Sequence, residues 1–362
     1  MESFSADITA ATGFLADGGT CGLKASGRRD VGAVISVRPA TAAGTFTANK
    51  VRAAPVLVCE EVLRRGATAQ AIVFNSGNAN ASTGKHGIEN ARAMQRLLAG
   101  GPGKAHGIRP EQVFVASTGV IGVQLDMDKL TRGVEALTPS PEGGTRAVEA
   151  MMTTDTVPKT AAARFTAGGA TITVAGMAKG AAMIAPQMVP HATMLAFVGT
   201  DAAVERAYLQ RTLTAAVEDS FNMVIVDGDM STNDTCLLLA NGAAWAEDRA
   251  PLDGSQPECA EFEAAVRSVC ARLAQAMARD GEGATKFIEV IVEGAANSAD
   301  ARRIARSIAG SNLTKSAVLG ADPNWGRIAM AIGKCSEDAD IDQRSVTIRI
   351  GGQELYPRPA GP

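Results

Sequence analysis

The sequence predicts an α/β (α+β) protein built in layers, with its active site at one edge of the sheets. Three observations carry this. Short apolar runs and amphipathic stretches of helical spacing occur in both halves of the chain, several apolar runs empty into polar, glycine-bearing loops, and no tandem repeat is visible. With 46% hydrophobic and 20% charged residues, the composition is that of an ordinary soluble globular protein. Aromatic residues make up only 4%, so the core has to be packed with Val, Ile, Leu, Met and Ala.

In chain order, Val31-Ile35 and Pro55-Val58 read as short apolar strands among turns. Gln70-Phe74 reads as a buried strand that empties into Asn75-Ser76-Gly77-Asn78-Ala79-Asn80-Ala81-Ser82-Thr83-Gly84, a loop rich in small hydrogen-bonding residues. Ile88, Ala91, Met94 and Leu98 have helical spacing. Val113-Val115 is a strand ending in Ser117-Thr118-Gly119, where a hydroxyl and a backbone N–H can face one spot; any tight turn looks the same. Residues 138–145 read as the clearest exposed loop, and Met151-Thr156 follows a helix. Ala170-Val174 is a strand leading to Lys179. A helix runs from about Ala202 to Ser220 with Asp201 as its N-cap.

Phe221-Val226 reads as a strand entering Asp227-Asp234. That loop lacks the central glycine and terminal glutamate of a calcium loop. Glu261-Asp280 is the strongest helix, with Phe262, Val266, Val269, Leu273 and Met277 on one face. Asp280-Lys286 lacks the spacing and the strand-loop-helix order of a phosphate loop, and Phe287-Val292 reads as a strand. Ser298 caps a short basic helix, Ala299 to Ala309. Asp322-Arg327 is a turn with a buried or half-buried Trp, Val346, Ile348 and Ile350 alternate as a strand, and Tyr356 to Pro362 reads as a tail.

Charge and special residues exclude several classes. A net charge of −3 and few aromatics argue against nucleic-acid binding. No run is long and apolar enough for a membrane span, and the N-terminus lacks the apolar segment of a signal peptide. Cys21, Cys59, Cys236, Cys259, Cys270 and Cys335 form no CxxC pair and read as reduced, mostly buried thiols of a cytoplasmic protein. With only His86, His106 and His191, no metal site of the usual spacing is expected.

The stretch from Gly176 to Phe197 is the most informative. It carries Lys179, a loop with Pro186 and Pro190, and then Ala192-Thr193 ahead of an apolar run. If the Ala192-Thr193 bond were cut, Thr193 would carry a nucleophilic hydroxyl and an α-amine base on one residue. On the residues alone, Thr193-Val198 is equally a β-branched and apolar strand opening with a threonine.

Seven motifs in order narrow these options: NSGNANASTG at 75–84, ASTGVIG at 116–122, MMTTDTVPK at 151–159, Gly176–Leu195, DGDMSTND at 227–234, DGEGATK at 280–286 and DPNWGR at 322–327. Over nearly the whole chain the sequence resembles the ornithine acetyltransferase (glutamate N-acetyltransferase) family of self-cleaving enzymes. The resemblance implies sheets packed between helices, as in N-terminal-nucleophile hydrolases but with different connectivity. It implies autoproteolysis at Ala192-Thr193 into an α chain, 1–192, and a β chain, 193–362, which assemble as (αβ)2, a heterotetramer, or larger. The implied reaction, in arginine biosynthesis, moves acetyl from N2-acetylornithine to glutamate by ping-pong. Thr193 would be the nucleophile, Thr118 and Gly119 the oxyanion pair, and Thr153, Lys179, Thr193 and Glu282 the substrate contacts. No cofactor is implied, with acetyl-CoA a second acetyl donor if the enzyme is bifunctional. The chain departs from the family by three extra residues, Val189-Pro190-His191, and by the family's C-terminal segment, which is not present. An amidase or aminopeptidase acting on a small N-acyl amino acid, and a non-catalytic truncated relative, are the competing readings.

Overall fold

The computed structural model describes residues 1–66, 68–187, 194–335, 337 and 339–357. Its centre is one continuous sheet that folds back on itself. The strands are β1 (Glu2–Phe4), β2 (Phe14–Gly19), β3 (Val31–Phe46), β4 (Thr68–Asn78), β5 (Val113–Val120), β6 (Lys159–Ala167), β7 (Ala170–Lys179), β8 (Leu195–Thr200) and β9 (Thr235–Ala240). Their order is β1-β6-β7-β8-β9-β3-β4-β5, with β2 also on β3.

The long strand β3 makes the fold possible. Its first half, Val31–Ser36, pairs with β2, and Val31–Ile35 also pairs with β4; its second half, Thr41–Phe46, pairs with β9. Between them the register with β4 shifts, and Val37, Arg38 and Pro39 are exposed. Proline has no N–H to give to a ladder, so an exposed bend is where it is tolerated.

The two halves of the sheet face each other, and period-2 alternation sorts their side chains into three cores. Ile72, Phe74 and Phe114 from one half meet Met177, Leu195, Phe197, Leu237 and Leu239 from the other, with the Phe74 and Phe197 rings 5.4 Å apart. The opposite faces of β4 and β5 (Ala71, Val73, Val113, Val115) pack under the helices α2 (Gly84–Gly100) and α3 (Met127–Glu135). The opposite faces of β7, β8 and β9 pack under α5 (Arg206–Glu218) and α6 (Cys259–Arg279). This gives the expected layered sheets between helices. The remaining body helices are α1 (Ala54–Arg65) and α4 (Gly144–Met151). After α6 come α7 (Ser298–Ala309), α8 (Asn312–Leu319), α9 (Trp325–Gly333) and a hairpin of β10 (Ile348–Ile350) and β11 (Gln353–Tyr356).

Several expectations are corrected. Pro55-Val58 is the first turn of α1, since Pro sits at a helix start without losing a bond. Phe221-Val226 begins with a 3-10 turn, Phe221–Met223, and forms no strand. Phe287-Val292 alternates like a strand, yet it pairs with no other described strand. Asp201 does not cap α5, which starts after Glu205; its carboxylate accepts the N–H groups of Thr12 and Thr173 instead. Asn297, not Ser298, caps α7. In the 138–145 loop, Gly143 and Gly144 are buried: a Cβ on Gly143 would come within 1.7 Å of the Ala16 carbonyl oxygen. Tyr356 ends β11 and stacks on Trp325, centroids 5.0 Å apart.

Candidate active site

Two strand edges meet at one cavity. At the first, Lys179 ends β7 opposite Leu195, the first residue of β8, and Leu195 lies opposite Thr235, the first residue of β9. The N–H of Thr235 donates to the Met194 carbonyl at 2.7 Å, which fixes the chain just before β8. At the second edge, β4 and β5 run parallel, so that Asn75-Ser76-Gly77 lies alongside Ser117-Thr118-Gly119.

Side-chain amides lock the second edge and join it to the first. Ser117 donates to Asn75 Oδ1 at 2.7 Å, and Asn75 Nδ2 donates to the Asn78 carbonyl at 2.8 Å. From the loop before β9, Asn233 Nδ2 donates to the carbonyls of Ala79 (2.6 Å) and Ser117 (2.8 Å). Gly119 has φ +133°, and a Cβ there would stand 2.4 Å from the Gly77 carbonyl carbon. The close approach of β4 and β5 therefore requires glycine at this position.

The cavity has a volume of about 250 Å³ and is lined by Ala79, Thr118, Gly119, Ile121, Thr153, Thr154, Lys179, Ala182, Met183, Met194, Leu195, Ser231, Asn233 and Asp234. The Lys179 ammonium, buried, donates to Thr118 Oγ1 at 3.4 Å. A hydroxyl that accepts from an ammonium keeps its own proton for a second acceptor. Burial pushes the Lys179 ammonium below the usual lysine range; Asp155 and Asp234 pull it back up, and Lys159 pushes it down. Behind the site Lys24, whose Nζ donates to the Met152 carbonyl at 2.7 Å, is lowered to about 8, chiefly by burial.

Thr118, Gly119, Thr153 and Lys179 thus share one wall system. Ala192 and Thr193, with Met188 and Val189-Pro190-His191, lie outside the described residues; Met194, which comes after Thr193, lines the cavity. Glu282 is exposed and lines a neighbouring cavity of about 680 Å³ between α6 and α8, with its N–H donated to the Ala181 carbonyl at 2.7 Å. The loop that leaves β7 is held by Asp227, which accepts the N–H groups of Met183 (2.5 Å) and Ile184 (2.9 Å), and by Arg306, which donates to the Pro186 carbonyl at 2.8 Å.

Sequence reasoning missed the roles of Asn233 and Asp155, although both sit inside motifs singled out above. The signal was there in their polarity among small residues, but nothing local shows which backbone groups a buried amide or carboxylate will reach. Among the described residues, no group of three His, Cys, Asp or Glu side chains is placed to hold a metal, and no helix is long and apolar enough to cross a membrane.

Comparison with known proteins places the chain in a family. Residues 15–361 match the model of the ArgJ family. The chain belongs to the ArgJ family. It is 50% identical over 363 aligned positions to the arginine biosynthesis bifunctional protein ArgJ of Symbiobacterium thermophilum, covering 98% of this chain and 86% of the relative. It is 45% identical to the protein of the same name from Bacillus subtilis, covering 97% of this chain and 83% of the relative. A crystal structure of ornithine acetyltransferase with ornithine from Mycobacterium tuberculosis matches 52% of this chain and 100% of that chain, with 38% identity and a TM-score of 0.48. As an ArgJ protein the chain is an acyltransferase of amino-acid biosynthesis.

Proposed function

We propose that this ArgJ protein moves the acetyl group of N2-acetylornithine to glutamate through an acyl-Thr193, after cutting its own Ala192-Thr193 bond. The observation that supports this most is the meeting of a buried ammonium, a hydroxyl and Gly119 in the cavity lined by Met194, the residue next to Thr193.

On this reading, Thr193 Oγ first attacks the Ala192 carbonyl, and water opens the resulting ester to give chains 1–192 and 193–362. The two chains stay together because β7 of the first pairs with β8 of the second from Val174–Thr200 to Lys179–Leu195. In each turnover the freed α-amine takes the proton as Thr193 Oγ attacks the acetyl carbonyl. The tetrahedral oxyanion receives the Thr118 hydroxyl and the Gly119 N–H. Collapse breaks the C–N bond, and the proton leaves with the ornithine amine. Glutamate then enters, its amine attacks the acyl ester, and the same steps run backwards.

Lys179 suits the α-carboxylate that both amino acids carry, or the oxyanion itself, and Thr153 lines the same cavity. Glu282 is assigned to the substrate ammonium on the family resemblance. Acetyl-CoA as a second donor is suggested by the word bifunctional in the relatives' names; acetylation of glutamate by acetyl-CoA without acetylornithine would establish it. The cytoplasm and an (αβ)2 assembly belong to the same reading.

The test is to incubate the enzyme with N2-acetylornithine, with and without glutamate. Transfer predicts a stoichiometric burst of ornithine with one acetyl group on the 193–362 chain, then turnover only when glutamate is added. Steady ornithine release independent of glutamate would mean an amidase and contradict the proposal.

A further inference from the structure

Beneath the cavity lies a buried row of charges that the reaction above does not use. Lys159, at the start of β6, has a fully buried side chain. Its Nζ lies 2.7 Å from Asp155 Oδ1 and 2.5 Å from Asp280 Oδ2, and both carboxylates are themselves buried. Lys159 also sits beside the cavity lysine, since it pairs with Ala178 in the β6–β7 ladder. Asp155 does more than pair with it. Its Oδ2 accepts the N–H of Thr153 at 2.9 Å, and its Oδ1 accepts the N–H of Gly180 at 2.7 Å. At the far end Asp280, just past α6, accepts the Thr156 N–H at 3.0 Å and the Thr156 hydroxyl.

Buried ion pairs are a poor route to stability, because desolvation consumes most of the Coulomb gain. The effect of this row is to fix positions. An apolar group at 155 would accept neither N–H, and an unsatisfied buried N–H is costly. Resting on the reading of the cavity as the acyl-transfer site, we propose that Asp155 is a positioning residue: its carboxylate, braced by Lys159 and Asp280, clamps the loop that carries Thr153 to the strand end that carries Lys179.

The clamp has an electrostatic side. The groups that face Lys179 are Asp155 and Asp234, which favour its charged form, and Lys159, which disfavours it; Lys24 is a further cation nearby. Neutralising Asp155 removes counter-charge from an ammonium that burial already weakens, so Lys179 loses its proton at lower pH.

Asp155→Asn tests this, with the parent enzyme carried alongside. Expected are normal self-cleavage and folding, kcat/KM for acetylornithine lower by roughly 10²-fold from misplacement, and an alkaline limb of the pH profile moved down by about one unit. A role confined to stability would lower the amount of active enzyme at every pH alike and leave the limb in place. If Asp155→Asn does not fold, Asp280→Asn carries the test. It spares both backbone bonds of Asp155 but turns Lys159 wholly onto it, so the limb moves the same way by less. A folded variant with the parent's limb and KM overturns the proposal. A parent enzyme that transfers no acetyl group overturns the reading of the cavity instead, so the two failures are distinguishable.

Discussion

Residues 1–281 and residues 282–357 are built to different standards. In the first region the three cores hold Phe14, Phe74, Phe114, Phe197 and Phe262 at 0–1% exposure, between a sheet and its helices. In the second, the cluster of Ile304, Ile308, Ala331, Cys335 and Ala339 is small, and four of its five members keep 6–8% exposure. Ile291 is 75% exposed in a stretch with strand-like alternation and no strand partner among the described residues. Thr118, Gly119, Thr153 and Lys179 belong to the first region; Glu282 stands at the border. The difference teaches that the walls of the smaller cavity are held by sheet pairing and dense packing, whereas the chain beyond α6 is more loosely packed and lines the larger cavity.

The comparison can be broken most severely at Gly119. Gly119→Ala forces a Cβ into the β4 backbone, so β5 has to move away. Transfer should fall by about 10²–10³-fold, as on loss of an oxyanion donor, with a lower Tm; an alanine variant with parent kinetics would refute the assigned close approach. Phe197→Ala removes the ring that faces Phe74 across the two sheet halves. It should cost about 3–5 kcal/mol in denaturant unfolding. Ile304→Ala in the C-terminal cluster should cost about 2 kcal/mol, the low end for such a truncation because its surroundings already admit solvent. Acetyl transfer at 25 °C should survive it. Equal costs at the two sites would erase the distinction.

A smaller effect, confined to the first region, depends on pH. Asp155 and Asp280 are pushed up by burial but held below the usual carboxylate range, Asp155 by Lys179 and Lys159 and Asp280 by Lys159 and Thr156. A carboxyl whose folded pKa is depressed contributes stability above its unfolded pKa near 3.9 and loses it as pH falls through the lower folded value. Acid unfolding below about pH 4 should therefore be milder in Asp155→Asn than in the parent, measured as the slope of stability against pH.

Much of the body was legible because its strands end in motifs and its helices have clean periodicity. Phe262, Val266, Val269, Leu273 and Met277 are all buried on α6, as spacing alone predicts. Legibility fails where one pattern has two solutions. Pro55-Val58 is apolar enough for a strand, but the proline at the helix start and the continuation to Arg65 let it run as a helix. Phe287-Val292 has the alternation of a strand, yet a strand needs a partner, and alternation cannot say whether one is present. At the site, polar residues at strand ends were visible in the sequence. That Asn233 would reach across to Ser117, or Asp155 to Gly180, depends on how two distant edges dock.

The most direct measurement is the intact mass of the parent and of Thr193→Ala, each with an acetylornithine-to-glutamate transfer assay. The self-cleaving acyl-threonine mechanism predicts two chains, 1–192 and 193–362, and steady transfer for the parent, against one uncut and inactive chain for the variant. A Thr193→Ala protein that still transfers acetyl at the parent's rate would contradict it.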